Sequence, residues 1–118
     1  MSLELAKQII KILDDKKAQK IEVIDIQKVS QLADYFIICS GGSSTHVKSL
    51  ADEVEFQIGG RGSDMAYHKE GYSGATWVLL DYRDVILHIF HGETRDFYNL
   101  EHLWIDGEKL DTKLLLEE

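Results

Sequence analysis

Tyr35-Phe36-Ile37-Ile38-Cys39-Ser40-Gly41-Gly42-Ser43-Ser44 is the stretch on which the fold turns. Its first five residues form an unbroken apolar run, the mark of a strand buried on both faces. Gly41-Gly42 punctuates the run, and Ser43 or Ser44 supplies a hydroxyl suited to a helix N-cap. Beyond them, Val47, Leu50, Ala51, Val54 and Ile58 fall on one helical face and predict a helix over 44–58. Gly59-Gly60-Arg61-Gly62 ends that helix in a mobile loop. A doubly covered strand feeding a helix points to an α/β domain.

Working outward, Ala6, Ile9, Ile10 and Leu13 recur at helical spacing, so residues 3–17 read as an amphipathic helix, with Lys16 and Lys17 near its end suiting the helix dipole. Ile21 to Ile26 is short and β-branched and reads as a strand. Ala66 to His68 reads as a short strand at or near an edge. Trp77 to Leu80 and Val85 to Phe90 read as two strands of a tight hairpin joined by Asp81-Tyr82-Arg83-Asp84. Phe97, Leu100 and Trp104 predict a last helix over about 94–104, and past Asp106-Gly107 an acidic tail is expected to be poorly ordered or weakly docked. The expected order is α-β-β-α-β-β-β-α: one mixed sheet of about five strands with helices packed on it. Residues 1–105 form the single domain and 106–118 the tail.

Composition bounds the function. A chain of 118 residues with 44% hydrophobic content suits one domain with its own core. The longest apolar run, Tyr35 to Cys39, is far too short to span a bilayer. The N-terminus lacks the layout of a signal peptide. A single cysteine, Cys39, inside an apolar run fits a reducing compartment, so a cytoplasmic location is expected. The net charge is −8: the first twenty residues carry +2, and residues 21–92 and 93–118 carry −5 each. Without a basic stripe the chain is poorly suited to direct nucleic-acid binding. Its acidity instead suits a basic protein partner.

Three groups of residues invite a chemical reading. The Gly41-Gly42-Ser43-Ser44 turn opens a helix, and such a turn can hold a phosphate on free backbone N–H groups. Nucleotidyltransferases use one, but they also need paired acids on the next strand to hold two metal ions. Here the segment Met65-Ala66-Tyr67-His68-Lys69-Glu70 has no such pair, and no Gly-Lys-Ser follows the turn. The turn therefore reads as a helix cap and no cofactor is expected. His88 and His91, three apart on a strand, face opposite ways. With His46, His68 and His102 elsewhere and one thiol in the chain, no metal site is expected. Cys39 reads as buried and inert, and no Gly-x-Ser-x-Gly elbow exists. No catalytic residue is assigned.

The third group is the hairpin. Trp77, Asp81, Tyr82, Asp84 and His88 set aromatics beside acids. Strand alternation puts Trp77, Leu79 and Asp81 on one side. A tryptophan in a strand usually lies in the core, yet a tryptophan ringed by carboxylates is also the composition of an interface anchor.

Around this hairpin the chain closely resembles the ribosomal silencing factor family, also called the Iojap or YbeB-like family. The matching text is ordered: Asp25; Ala33-Asp34-Tyr35-Phe36-Ile37-Ile38-Cys39-Ser40-Gly41; Ser43-Ser44-Thr45-His46-Val47; Ala51-Asp52; Glu70-Gly71; Trp77-Val78-Leu79-Leu80-Asp81-Tyr82; Asp84-Val85-Ile86-Leu87-His88-Ile89-Phe90; and Arg95-Asp96-Phe97-Tyr98-Asn99-Leu100-Glu101-His102-Leu103-Trp104. The resemblance runs over about residues 4–105. It implies a nucleotidyltransferase-like topology without the catalytic acids. It also implies a translation repressor that binds the large ribosomal subunit through the ribosomal protein L-fourteen and blocks joining of the small subunit. Organelle relatives imply a link to large-subunit assembly, and a homodimer is compatible with the family. On this reading Trp77, Tyr82 and His88 belong to the partner-binding surface, with Asp81, Asp84 and Glu70 matching basic residues. The alternative from another class is a nucleotide-binding or nucleotidyl-transferring enzyme using Gly41 to Ser44. The chain departs from the family at Arg83, where glycine is usual and suits a φ > 0 turn position, and in lacking a proline before Glu70-Gly71.

Overall fold

The computed structural model describes residues 2–28, 33–59, 68–70, 76–92 and 108–110. Helix α1 spans Ser2–Asp15, strand β1 Gln19–Asp25, β2 Tyr35–Gly41, helix α2 Ser44–Gly59, β3 His68–Glu70, β4 Trp77–Asp81, β5 Val85–His91 and β6 Glu108–Leu110. The predicted helix over 94–104 and the loop at 60–62 lie outside the described residues.

The strands form one mixed sheet in the order β3-β4-β5-β2-β1-β6. β2 and β5 pair in parallel, and the other neighbours are antiparallel. The apolar run behaves as its composition demands: every residue of β2 is buried, and the strand sits inside the sheet with β5 on one side and β1 on the other. The strand expected at 66–68 is observed as His68–Glu70 at the edge of the sheet, with residues 66 and 67 outside the described set. One strand was not anticipated. Glu108–Leu110, assigned by composition to the tail, pairs antiparallel with Val23 to Asp25 and extends the sheet to six strands. This short segment of the tail therefore pairs with β1 at the sheet edge, a role its side-chain composition does not advertise.

Both helices pack on one face. Ala6, Ile9, Ile10 and Leu13 of α1 and Val47, Leu50, Ala51, Val54 and Ile58 of α2 are fully buried. They cluster with Val23, Ile37, Cys39, Val78, Leu80, Leu87 and Ile89 of the strands. The opposite face carries a second cluster of Ile24, Ile26, Ala33, Phe36, Ile38 and Phe90, against which Trp77 and Ile86 pack. Each buried aliphatic or aromatic side chain contributes about 1.5–3 kcal/mol of transfer free energy.

Helix α1 ends differently from its sequence pattern. The helix expected to reach residue 17 ends at Asp15, and Lys17 adopts φ 63°. Its N–H bonds to the Asp14 carbonyl at 3.0 Å and that of Ala18 to the Leu13 carbonyl at 2.9 Å. This is a Schellman termination with lysine at the position glycine usually takes. Lys16 and Lys17 thus lie just past the helix. A second left-handed residue, Lys20 (φ 50°), accompanies the bulge between Gln19 and Glu22 in the β1–β2 ladder.

At the far end of β2, chain direction reverses into α2 at very close range. A Cβ built on Gly41 would stand 2.9 Å from Val47 Cγ2, 3.1 Å from Val47 N and 3.3 Å from its Cα, whereas one on Gly42 meets nothing nearer than Gln19 Nε2 at 3.7 Å. Backbone cannot yield as a side-chain tip does. Gly41→Ala is therefore expected to lower stability by about 1–3 kcal/mol, and Gly42→Ala to change it far less. Urea denaturation of the two variants beside the parent measures the contrast.

Candidate functional site

Register assembles the hairpin face. Trp77 lies opposite Phe90, Leu79 opposite His88 and Asp81 opposite Ile86. Phe36, Ile38 and Ser40 continue the same rows on the other side of β5. Burial along β4 alternates: Val78 and Leu80 are buried on the helix side, while Trp77, Leu79 and Asp81 are half-buried on the other. The expected alternation of Trp77, Leu79 and Asp81 is thus present, and the three form a partly exposed row.

Trp77 is held from below. Its indole stacks on Phe90, ring centroids 5.1 Å apart and planes at 24°. Its Nε1–H donates to His88 Nδ1 at 3.0 Å. His88, only 4% exposed, is also edge-on to Phe36 at 5.0 Å and 64°. Accepting at Nδ1 assigns the proton of the neutral ring to Nε2. That Nε2 is buried with no hydrogen-bond partner among the described residues. Burial pushes the His88 pKa down to about 4, since a second proton would place a charge in an apolar environment.

The six residues singled out from sequence take different places. Trp77 and Asp81 lie half-exposed on one face. His88 lies on that face but underneath, buried. Tyr82 is buried in the helix-side cluster, away from the Trp77 row. Asp84 is exposed, and its carbonyl accepts N–H bonds from Asp34 at 2.7 Å and Tyr35 at 3.1 Å, joining the starts of β2 and β5. Glu70 occupies the register position opposite Leu79; its side chain lies outside the described set. Leu79, central in the exposed row, was not singled out. Its signal in the sequence is the period-2 alternation that it shares with Trp77 and Asp81.

The turn below the face is tight. Asp81 Oδ1 accepts the Arg83 N–H at 2.7 Å, and the Asp84 N–H bonds to the Tyr82 carbonyl at 2.9 Å. Arg83 sits at φ 74°, the conformation of a rare and strained γ-turn. Asp81 is therefore part of the turn as well as of the face.

The Gly-Ser turn is committed elsewhere. Ser43 Oγ accepts the His46 N–H at 3.0 Å, and the Gly42 N–H donates to His46 Nδ1 at 3.0 Å. His46 Nε2, left as the donor, reaches the Lys16 carbonyl at 2.9 Å. The N–H groups a phosphate would use at Gly42 and His46 are thus spent on a cap that also ties α2 to the end of α1. Among the described residues no cluster of three or more histidine, cysteine or acidic side chains is placed to hold a metal ion. No described helix is long and apolar enough to cross a membrane.

Comparison with known proteins extends this geometry. A family model described as "Ribosomal silencing factor during starvation" matches residues 1–118. A ribosomal silencing factor of Bacillus subtilis is 41% identical over 109 residues, covering 89% of this chain and 92% of its own. A crystal structure of a Chromobacterium violaceum protein superposes with a TM-score of 0.85 at 32% identity, over 94% of this chain and 91% of its own. One from Bacillus halodurans gives 0.81 at 35% identity, over 92% and 97%.

Two outcomes follow from the hairpin geometry. Arg83→Gly should raise stability by about 1 kcal/mol, because glycine adopts positive φ without the steric cost borne by other residues; chemical denaturation tests it. His88 has a folded pKa of about 4, below the ordinary histidine value near 6.5. Its contribution is therefore fully present above about pH 6.5, where both states are neutral, and is lost as pH falls toward 4, up to about 3 kcal/mol. Stability measured from pH 7 to pH 4 should decline in the parent, and His88→Phe should remove that part of the decline.

Proposed function

Because the chain belongs to the ribosomal silencing factor family, whose members repress translation by binding the large ribosomal subunit without enzymatic turnover, we propose that it docks on the ribosomal protein L-fourteen and blocks joining of the small subunit by occupying volume. The single observation that carries the docking surface is the half-exposed row Trp77, Leu79 and Asp81. An aromatic and an aliphatic side chain beside a carboxylate give an apolar centre with a charged rim, the anatomy of a protein-binding patch. The exposed Asp84 adds to the rim, and Glu70 belongs to it by register. The net charge of −8 complements a basic partner and favours rapid encounter.

This reading needs no catalyst. The turn that a nucleotidyl-transferring enzyme would use is spent on the α2 cap, which favours the binding reading over the enzymatic one. The mixed sheet, with its parallel β2–β5 pair separated in sequence by α2, β3 and β4, is consistent with a nucleotidyltransferase-like topology put to a non-catalytic use. A homodimer through the same row would compete with the ribosome and would have to dissociate first.

Co-sedimentation with separated ribosomal subunits tests the proposal. The chain should pellet with the large subunit and not with the small one. Trp77→Ala should weaken that binding by about 2 kcal/mol or more while the protein still melts as a folded domain. Equal pelleting with both subunits, or with neither, would overturn the reading. So would a Trp77→Ala protein that is less stable yet binds normally once folded, because it would place the tryptophan solely in the core.

A further inference from the structure

We propose that His88 is a positioning residue for docking: it takes the Trp77 indole N–H into the protein, so that Trp77 offers its partner only hydrocarbon. The inference rests on the reading of Trp77 as part of the docking surface and deepens it by naming what the partner must present.

A tryptophan on an interface normally has two things to give, an apolar ring and one N–H donor. Here the donor is already used. Nε1–H points to His88 Nδ1 at 3.0 Å, and the acceptor belongs to a side chain only 4% exposed. Phe90 stacks on the indole at 5.1 Å and Phe36 meets the imidazole edge-on at 5.0 Å, so both rings of the hydrogen-bonded pair are also packed by aromatics. His88 Nε2 has no hydrogen-bond partner among the described residues. Retaining a buried histidine in such a place costs stability that phenylalanine would not. What the histidine supplies in return is an acceptor for the indole N–H. The partner side of the contact is then an apolar pocket or the aliphatic stem of a basic side chain, with no acceptor needed for the indole. Truncating the acceptor would take this partner from the part-buried indole N–H or let the indole turn outward, and either outcome misplaces the anchor.

The test uses two variants of the full chain and a readout independent of the ribosome. His88→Phe keeps a ring among the aromatics and removes the acceptor. His88→Asn places an amide oxygen near the Nδ1 position and removes the ring. The Trp77 indole proton, assigned by its disappearance in Trp77→Phe, is followed by NMR hydrogen exchange. In the parent it should exchange at least tenfold more slowly than in the denatured chain. In His88→Phe it should exchange faster than in the parent, and affinity for the large subunit should fall about tenfold without loss of the folded state; His88→Asn should recover part of both. Unchanged affinity in a folded His88→Phe protein would overturn the proposal and leave His88 as core alone. If that variant does not fold, an unprotected Trp77 indole proton in the parent overturns it, and a protected one together with recovered affinity in His88→Asn supports it. Normal binding by Trp77→Ala would remove the docking reading itself, and the proposal with it, even with the indole proton protected. The two failures are thereby told apart.

Discussion

The parallel pairing of β2 with β5 imposes the constraint from which the rest follows. The two strands pair over seven residues, from Tyr35 with Val85 to Gly41 with His91, and β2 is buried along its whole length. A strand with apolar residues on both faces must be covered on both, and a parallel pair cannot be closed by a two-residue turn. The chain therefore makes a long crossover from β2 to β5, and α2 and the β4 strand of the hairpin are placed within it. Helix α2 covers one face together with α1. On the other face Phe36, Ile38 and Phe90 form a core to which Trp77 is attached from β4.

That arrangement explains why the half-exposed row of Trp77, Leu79 and Asp81 is where it is. β4 is separated from the edge only by the three-residue β3, and one of its faces is sealed by helices. The other face rises from the fully buried Phe90 and nearly buried His88 to the half-buried Trp77, Leu79 and Asp81. The same side chains thus serve core and surface. Trp77 itself is neither fully core nor fully exposed: its half-buried indole stacks on Phe90 and bonds to His88. A hydrogen bond in this cluster matters more than its energy of about 1 kcal/mol would indicate, since it decides which atoms the tryptophan shows.

The connections are made at some steric cost. Lys17, Lys20 and Arg83 all adopt positive φ, where glycine is the unstrained choice. Each is stabilised by its surroundings. The Schellman bonds hold Lys17, a bulge accommodates Lys20, and the Asp81 carboxylate accepts the Arg83 N–H. The His46 bridge between the Gly42 N–H and the Lys16 carbonyl similarly joins the ends of β2 and α1, which are distant in sequence. In each case polar backbone groups that would otherwise be unsatisfied find partners.

By itself the sequence determined the elements and their faces. The apolar run at Tyr35 to Cys39, the helical stripe from Val47 to Ile58 and the alternation around Trp77 all reappear in the structure, because periodicity and burial are local consequences of side-chain type. It also carried the family text and the absence of paired acids after the Gly-Ser turn. Only the tertiary structure decided pairing and satisfaction. That Glu108–Leu110 joins the sheet depends on backbone hydrogen bonds to β1, which composition does not encode. That Tyr82 turns to the helix side while Asp81 stays with Trp77 depends on how the hairpin continues its alternation at the turn. That His46 occupies the Gly42 N–H, and His88 the indole N–H, depends on distances of 3.0 Å between groups four and eleven residues apart. Hydrogen-bond partnership requires both position and direction in space, and residue spacing along a chain supplies neither.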